Sequence, residues 1–287
     1  MIAVFGATGQ TGIEVTRQLA ARSVLTRALV HSPQKAKMLE PLGVEIVQAD
    51  LEQPTTIEAA LQGAERAYFV TSGEVTQLSS RFYAAAQRAG VKHIVRLSGS
   101  FMVHEPHGIR FDELHQRAEL DLEGSGLAWT HLRPSYFMQN LLLQGASGVL
   151  ALPFAHRPVN LVDVRDIAAV AVEALTGTGH AGQVYEITGP EALTFDEVAA
   201  QLTQVSGRTF TYTPVSRAEF KATLQQWGLP DGVAGDLANE YGEIGDGHPA
   251  FSTPRDTVLR LTGKPGRSVR DFARDFAEAL ITPPRWG

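Results

Sequence analysis

Gly6-Ala7-Thr8-Gly9-Gln10-Thr11-Gly12 stands between an apolar run, Ile2 to Phe5, and a segment from Gln10 to about Arg22 that has the spacing of an amphipathic helix. A tight turn out of a buried strand needs glycine for its backbone angles. Missing side chains also let backbone N–H groups approach a pyrophosphate at the positive end of a helix. Gly6, Gly9 and Gly12 fall where those demands fall. With 27 glycines in 287 residues such a triplet also arises by chance, so the weight rests on context. This one leaves a strand, opens a helix and starts a βαβ unit at the N-terminus. The expectation is a dinucleotide cradle using Gly6, Thr8, Gly9, Gln10, Thr11 and Gly12, with an ordinary strand-to-helix turn as the alternative.

The chain beyond the cradle keeps alternating. Strands are predicted over Arg27–Val30, Glu45–Gln48, Ala67–Val70, His93–Leu97, Ala128–Leu132 and Gln183–Ile187. Helices are predicted after Ser32-Pro33 and over Thr55–Gln62, Thr76–Ala89, Phe111–Glu123 and Ile167–Leu175, the last opened and capped by Asp163 and Asp166. Such alternation implies an α/β fold, a Rossmann-type doubly wound parallel sheet with right-handed crossovers. Beyond Gly189-Pro190 strands become scarce, and helices are expected over Phe195–Val205, Ala218–Trp227, Gly232–Tyr241 and Ser268–Leu280, with a Gly/Pro/Asp-rich link at Gly242–Pro249. The domain reading is a dinucleotide-binding domain over 1–150 that also takes in about 160–188, and a smaller, mostly helical substrate lobe over 189–287.

In open α/β sheets ligands bind outside the C-terminal ends of the strands. After the second strand this chain has His31, Ser32 and, a turn later, Lys35. The strand tip itself carries no carboxylate, and these groups can donate to a 2′-phosphate, so NADP(H) is favoured over NAD(H). Asp50, with Leu51 after it, ends the third strand and either accepts from an adenine amino group or caps the next helix. Thr71, Ser72 and Gly73 follow the fourth strand as a small-residue passage, Ser98 and Ser100 follow the fifth, and Pro134, Tyr136 and Phe137 follow the sixth.

Composition narrows the classes. No cysteine means no disulfide, no thiolate zinc site and no cysteine nucleophile. A formal charge of −6 with interspersed signs leaves no footprint for nucleic acid. The start Met1-Ile2-Ala3-Val4 has no basic leader and no apolar run is long enough to span a bilayer, so a soluble, cytoplasmic protein without membrane contact is expected. His104 and His107, with His115 farther on, match no zinc spacing, and no metal is expected. No Gly-x-Ser-x-Gly elbow is present for a hydrolase.

Four stretches together, Gly6 to Gly12, Ala28-Leu29-Val30-His31-Ser32-Pro33, Leu132-Arg133-Pro134 and Asp163-Val164-Arg165-Asp166-Ile167-Ala168, resemble the NmrA-like, atypical short-chain dehydrogenase/reductase family over nearly the whole chain. The branch it is most similar to holds NADPH:quinone oxidoreductase, triphenylmethane reductase and the ergot-alkaloid dehydrogenases. That resemblance implies a Rossmann protein binding NADP, either a reductase or a dinucleotide sensor without turnover. The family pattern often has arginine where His31 stands.

Ordinary short-chain dehydrogenases use Tyr and Lys four residues apart on one helix. The six tyrosines here, Tyr68, Tyr83, Tyr136, Tyr185, Tyr212 and Tyr241, are followed at that distance by Ser, Gln, Asn, Gly, Ser and Gly. The matching helix carries His115 and Glu119 instead, on one helical face. A neighbouring carboxylate would favour a protonated histidine, so His115 is expected to orient the nicotinamide or substrate or to donate a proton, with Glu119 as its partner and Tyr136 nearby. The alternative is a surface helical pair. A hydride acceptor that is already electron-poor, such as a quinone, an iminium or a cationic dye, needs little acid help. Ser98, Ser100, Tyr136 and Phe137 are candidates to line its cleft, and a homodimer through a sheet edge or helix pair is left open.

Overall fold

Strands covered on both faces by helices are apolar throughout rather than alternating. β1 (Ile2–Phe5) has that character, β2 (Thr26–Val30), β4 (Arg66–Phe69) and β5 (His93–Leu97) are mostly buried runs that carry Arg27, Arg66 and Arg96, and β3 (Glu45–Gln48) is more polar and half exposed. The computed structural model describes residues 1–71, 75–99, 110–145, 147–248 and 251–282. Ser72, Gly73, Ser100, the stretch with His104, Glu105, Pro106 and His107, and Pro249 lie outside the described residues.

The chain forms two compact units, one of Met1–Gly99, Glu113–Pro134 and Val164–Glu186, the other of Ser100–Asp112, Ser135–Asp163 and Ile187–Gly287. In chain order, β6 (Ala128–Pro134) is followed by three short strands, β7 (Tyr136–Phe137), β8 (Val149–Leu152) and β9 (Val159–Val162). Then come β10 (Gln183–Ile187), β11 (Ala192–Leu193) and β12 (Thr211–Pro214). The large sheet runs β10-β6-β5-β4-β1-β2-β3, and its pairings from β6 across to β3 are parallel. Strand order reverses between β1 and β4, which makes their C-terminal ends the crevice of this doubly wound α/β fold.

The connecting helices are α1 (Gln10–Ala21), α2 (Pro33–Ala36), α3 (Pro54–Leu61), α4 (Val75–Ala89) and α5 (Arg110–Glu123). After α6 (Leu141–Gly145) comes α7 (Val164–Thr176). α1 packs on α7, and α3 packs on α4. Under α3, α4 and α5 lies one apolar cluster in which the Phe69 and Phe82 rings stack at 4.2 Å and Ile57, Leu61 and Leu122 are fully buried. Val164 rather than Ile167 opens α7, so Asp166 falls inside the first turn, where its charge complements the helix dipole.

The second unit has its own core around Tyr136, Phe154, Phe195, Phe272 and Leu280. Two small sheets, β11-β9-β7 and β12-β8, are built from strands of two to four residues; β12 meets the short strand that the sequence places at Phe210–Thr213, while β7 and β11, of two residues each, are too short to show a period. The expected link at Gly242–Pro249 is corrected in its first half, because the helix Asp231–Asp246 runs through Gly242 and Gly245. Both glycines are close approaches: an added Cβ would sit 2.0 Å from Arg217 Nε at Gly242 and 2.3 Å from the Pro153 carbonyl oxygen at Gly245. The expected single helix Ser268–Leu280 is two, Val269–Asp275 and Ala277–Ile281, broken at Phe276.

Gly12 sets the approach of α1 to β1, since a Cβ there would lie 2.1 Å from the Gly6 carbonyl oxygen, a backbone atom that cannot swing aside. Gly12→Ala is therefore expected to cost about 1–3 kcal/mol in urea unfolding, as overpacking does. Gly124→Ala, whose Cβ would meet only the Leu120 carbonyl oxygen at 3.4 Å, should stay within about 0.5 kcal/mol. Equal losses would show that the β1–α1 contact is not tight.

Candidate cofactor and catalytic site

At the crevice, Gly6 has φ +76°, and a Cβ on it would lie 2.6 Å from Val70 Cγ1 at the end of β4. The Gly9 N–H donates to the Gly6 carbonyl at 2.9 Å, closing the turn. Gly9 then caps α1 without any side-chain hydrogen bond, and the first turn of α1 carries no acidic residue. The first N–H groups of a helix have no intrahelical acceptor, so this terminus presents donors and a positive dipole end with no acidic side chain in its own first turn. Thr8, Gly9 and Gln10 are partly or fully exposed there, while Thr11 is buried and accepts from the Tyr68 hydroxyl at 2.9 Å. The donor set, lack of bulk and position fit a dinucleotide pyrophosphate.

The β2 tip differs from its sequence reading in one respect. His31 is exposed, with Ser32 and Lys35 beside it in sequence, but the Asp50 carboxylate lies 3.8 Å from His31 Nε2. A carboxylate is thus present in space, from the next strand end, where none stands in sequence. Asp50 also accepts from the Glu52 N–H at 2.9 Å and from the Gln53 side chain at 3.3 Å, so it holds the turn into α3. Leu51 is buried under that turn and Thr71 is half-buried at the end of β4.

A buried polar layer occupies the C-terminal half of β5 and β6 and the helix α5. Arg96 and His131 are register partners on these parallel strands, so their side chains share a face, and Arg133 is two residues on. Glu119, only 2 % exposed in its side chain, takes two hydrogen bonds from Arg133, Nε to Oε1 at 3.1 Å and Nη2 to Oε2. Burial pushes the Glu119 carboxyl up, but the Arg133 bonds and nearby positive charge outweigh it and hold the pKa below the usual carboxylate range.

The expectation that Glu119 keeps His115 protonated is corrected by this arrangement. His115 is buried, and its Nδ1 lies 3.1 Å from Arg96 Nη2. Burial first, and the Arg96 charge second, press the His115 pKa well below its ordinary value, so the ring is neutral at pH 7. An i,i+4 spacing brings two side chains to one helical face, yet a bidentate guanidinium from another element is the stronger partner for the carboxylate. Gly99 forms the wall behind the imidazole, where a Cβ would lie 3.1 Å from His115 Cγ. Ser98 is buried, and its Oγ has no hydrogen-bond partner among the described residues; Pro134 ends β6, also buried.

His131 stacks on Trp129 at 4.5 Å, with Nε2 3.2 Å from Glu123 Oε1, and burial lowers its pKa to about 4. Glu119, Glu123 and His131 each offer a ligand atom within 4.8 Å of the others, a grouping a metal ion could use, but both Glu119 oxygens are engaged by Arg133. Tyr136 and Phe137 belong to the second unit. Tyr136 is buried, with edge-on contacts to Phe154, Phe195 and Tyr241, and burial raises its hydroxyl pKa.

The residues missed from sequence are Arg96, Gly99 and the partner role of Arg133. Arg96 had a usable signal: it is a charge inside His93-Ile94-Val95-Arg96-Leu97, an otherwise buried central strand. Buried charge requires a partner, and that requirement points to a polar site.

Fold and cradle together define a Rossmann dinucleotide-binding protein. The chain belongs to the NmrA-like family, which matches residues 1–253. It is 36% identical over 287 residues to an NAD(P)H azoreductase of Xenophilus azovorans, covering 98% of this chain and 99% of the relative. The NADPH-dependent quinone oxidoreductase of Escherichia coli, solved with NADPH, superposes with a TM-score of 0.84 at 31% identity over 96% of this chain and 99% of that one. Triphenylmethane reductase of Citrobacter sp., solved with NADP(H), gives 0.82 at 29% identity over 96% and 100%. No helix among the described residues is long and apolar enough to cross a membrane.

Arg133→Met leaves the Glu119 charge buried without its bidentate partner, and should cost about 3–5 kcal/mol in urea unfolding. The double variant Arg133→Met/Glu119→Leu should recover most of that loss; simple addition of two single losses would deny the pairing. His93 and His131 both have pKa values lowered from 6.5 to about 4 by burial. Between those values the unfolded chain binds protons that the folded chain does not, so stability is full above about pH 6.5 and falls as pH drops toward 4. Urea midpoints at pH 7 and 4.5 should show that fall, with a shallower one in His131→Phe.

Proposed function

We propose that this protein is an NADPH-dependent reductase that delivers hydride to an electron-poor small molecule of the quinone, iminium or cationic-dye type. The observation that carries this reading is the neutral, buried His115 on Arg96, in a helix that lacks the tyrosine and lysine of ordinary short-chain dehydrogenases. A neutral imidazole donates a hydrogen bond but is a poor acid, so the acceptor must be one that takes hydride without strong acid help. The relatives named above as azo, quinone and triphenylmethane reductases support it.

The protein is an oxidoreductase and its cofactor is NADP(H), the form present in the Escherichia coli and Citrobacter structures. When bound, NADPH supplies the hydride. The Gly6 to Gly12 turn would hold the pyrophosphate by backbone N–H groups and the α1 dipole, and Gly6, Gly9 and Gly12 contribute no side chain to that turn. His31, Ser32 and Lys35 would meet the 2′-phosphate, with Asp50 beside His31 setting the geometry of the tip. Thr71, Ser98 and Pro134 would flank the nicotinamide half. His115 would orient the reacting groups by hydrogen bonding, and the pairing of Glu119 with Arg133 keeps that carboxylate's charge compensated. The second unit, with Tyr136 and Phe137, is assigned as the substrate-selecting lobe.

Calorimetric titration with NADPH and NADH, followed by NADPH oxidation assays on quinones, azo dyes, triphenylmethane dyes and iminium salts, tests the reading. NADPH should bind more tightly than NADH, and at least one acceptor should turn over. His115→Ala should lower kcat about 10- to 100-fold, at or below the usual range for a positioned proton-handling group, with the NADPH Kd within about twofold. Tight NADPH binding with no turnover across the panel would overturn the reductase in favour of a dinucleotide sensor.

A further inference from the structure

Arg96 is fully buried in the middle of β5, an expensive place for a permanent cation. Its Nε and Nη1 have no hydrogen-bond partner among the described residues, and its Nη2 lies 3.1 Å from His115 Nδ1. A guanidinium has five N–H donors and no acceptor, and it does not deprotonate in proteins. Across that contact Arg96 can only donate, so Nδ1 must hold the lone pair. Protonation of Nδ1 would set two N–H groups head to head in a buried site.

From this geometry we infer that Arg96 is a positioning residue that locks His115 in the neutral Nε2–H tautomer, making the imidazole a hydrogen-bond donor through Nε2 whose sense does not depend on Glu119. Turning the ring over would put the Cδ2–H in place of the Nδ1 lone pair in front of Arg96 and lose that hydrogen bond. Donation into Nδ1 also draws electron density from the ring, which sharpens Nε2–H as a donor. Such a donor suits an oxygen or nitrogen that gains electron density as hydride arrives, and it does so without proton transfer. The use of this donor rests on the reductase reading above; the tautomer itself rests on the Arg96 contact alone.

The full-length protein labelled with 15N-histidine tests it. Two-bond 1H–15N spectra at pH 7 separate Nε2–H, Nδ1–H and doubly protonated rings, and comparison with His115→Gln assigns the His115 signals. The wild type should show His115 as Nε2–H. Arg96→Met should give a mixture of tautomers and lower kcat on the order of tenfold with the KM for NADPH unchanged. Arg96→Lys, which keeps a donor and a charge, should restore the Nε2–H signal and much of kcat. A wild-type Nδ1–H signal, or a pure Nε2–H signal in Arg96→Met, overturns the inference. If Arg96→Met does not fold, a mixed or Nδ1–H signal in Arg96→Lys overturns it equally. A wild-type Nε2–H signal in a protein that reduces no acceptor sinks the reductase and leaves the tautomer assignment standing.

Discussion

The first unit depends on how closely two pieces of backbone meet. The Gly12 Cα sits so near the Gly6 carbonyl that no side chain fits between them, and Gly6 in turn lies against Val70 at the end of β4. Those contacts fix where the N-terminus of α1 points relative to the strand order, which reverses at this place. A helix start aimed at a crevice has unspent N–H donors and a partial positive charge, whatever its side chains. The ligand chemistry of that end of the sheet thus follows from two missing methyl groups more than from any functional group.

At the other side of the crevice the chain does the opposite and fills space with charge. Arg133 and Glu119 neutralise one another through two hydrogen bonds, a pair whose value lies in geometry, because apolar replacement of both partners is often neutral or stabilising. Arg96 is spent on a neutral ring. The layer therefore divides its work: one guanidinium holds a buried carboxyl in its ionised form, and the other adds to the burial that keeps an imidazole from ionising.

Much of this fold was legible in the sequence. β1, β3, β5 and β10 begin and end where the sequence predicts; β1 and β5 are buried runs, and the more exposed β3 and β10 are marked by the turn residues that bound them. The second unit was less legible for a physical reason: strands of two residues have no period, and Gly242 and Gly245 look like a loop until Arg217 and Pro153 are seen pressed against them. In the site, the residues of the cradle could be read because glycine requirements are local. The partners of His115 and Glu119 could not, since Arg96 and Arg133 come from strands 19 and 14 residues away. Asp50 approaches His31 in the same nonlocal way.

Gly99 and His115 show what such packing does to the paths open to descendants of this protein. A chain that first exchanges Gly99 for any larger residue sets a Cβ 3.1 Å from the imidazole, which must then shift by a few tenths of an ångström, and one that first loses His115 takes from Arg96 the hydrogen-bond acceptor of its Nη2. Each first step is penalised while the two together, with Arg96, can change as a block. The three positions form an epistatic unit, so homologues should divide into those that keep the whole set and those that have replaced it, with few intermediates between.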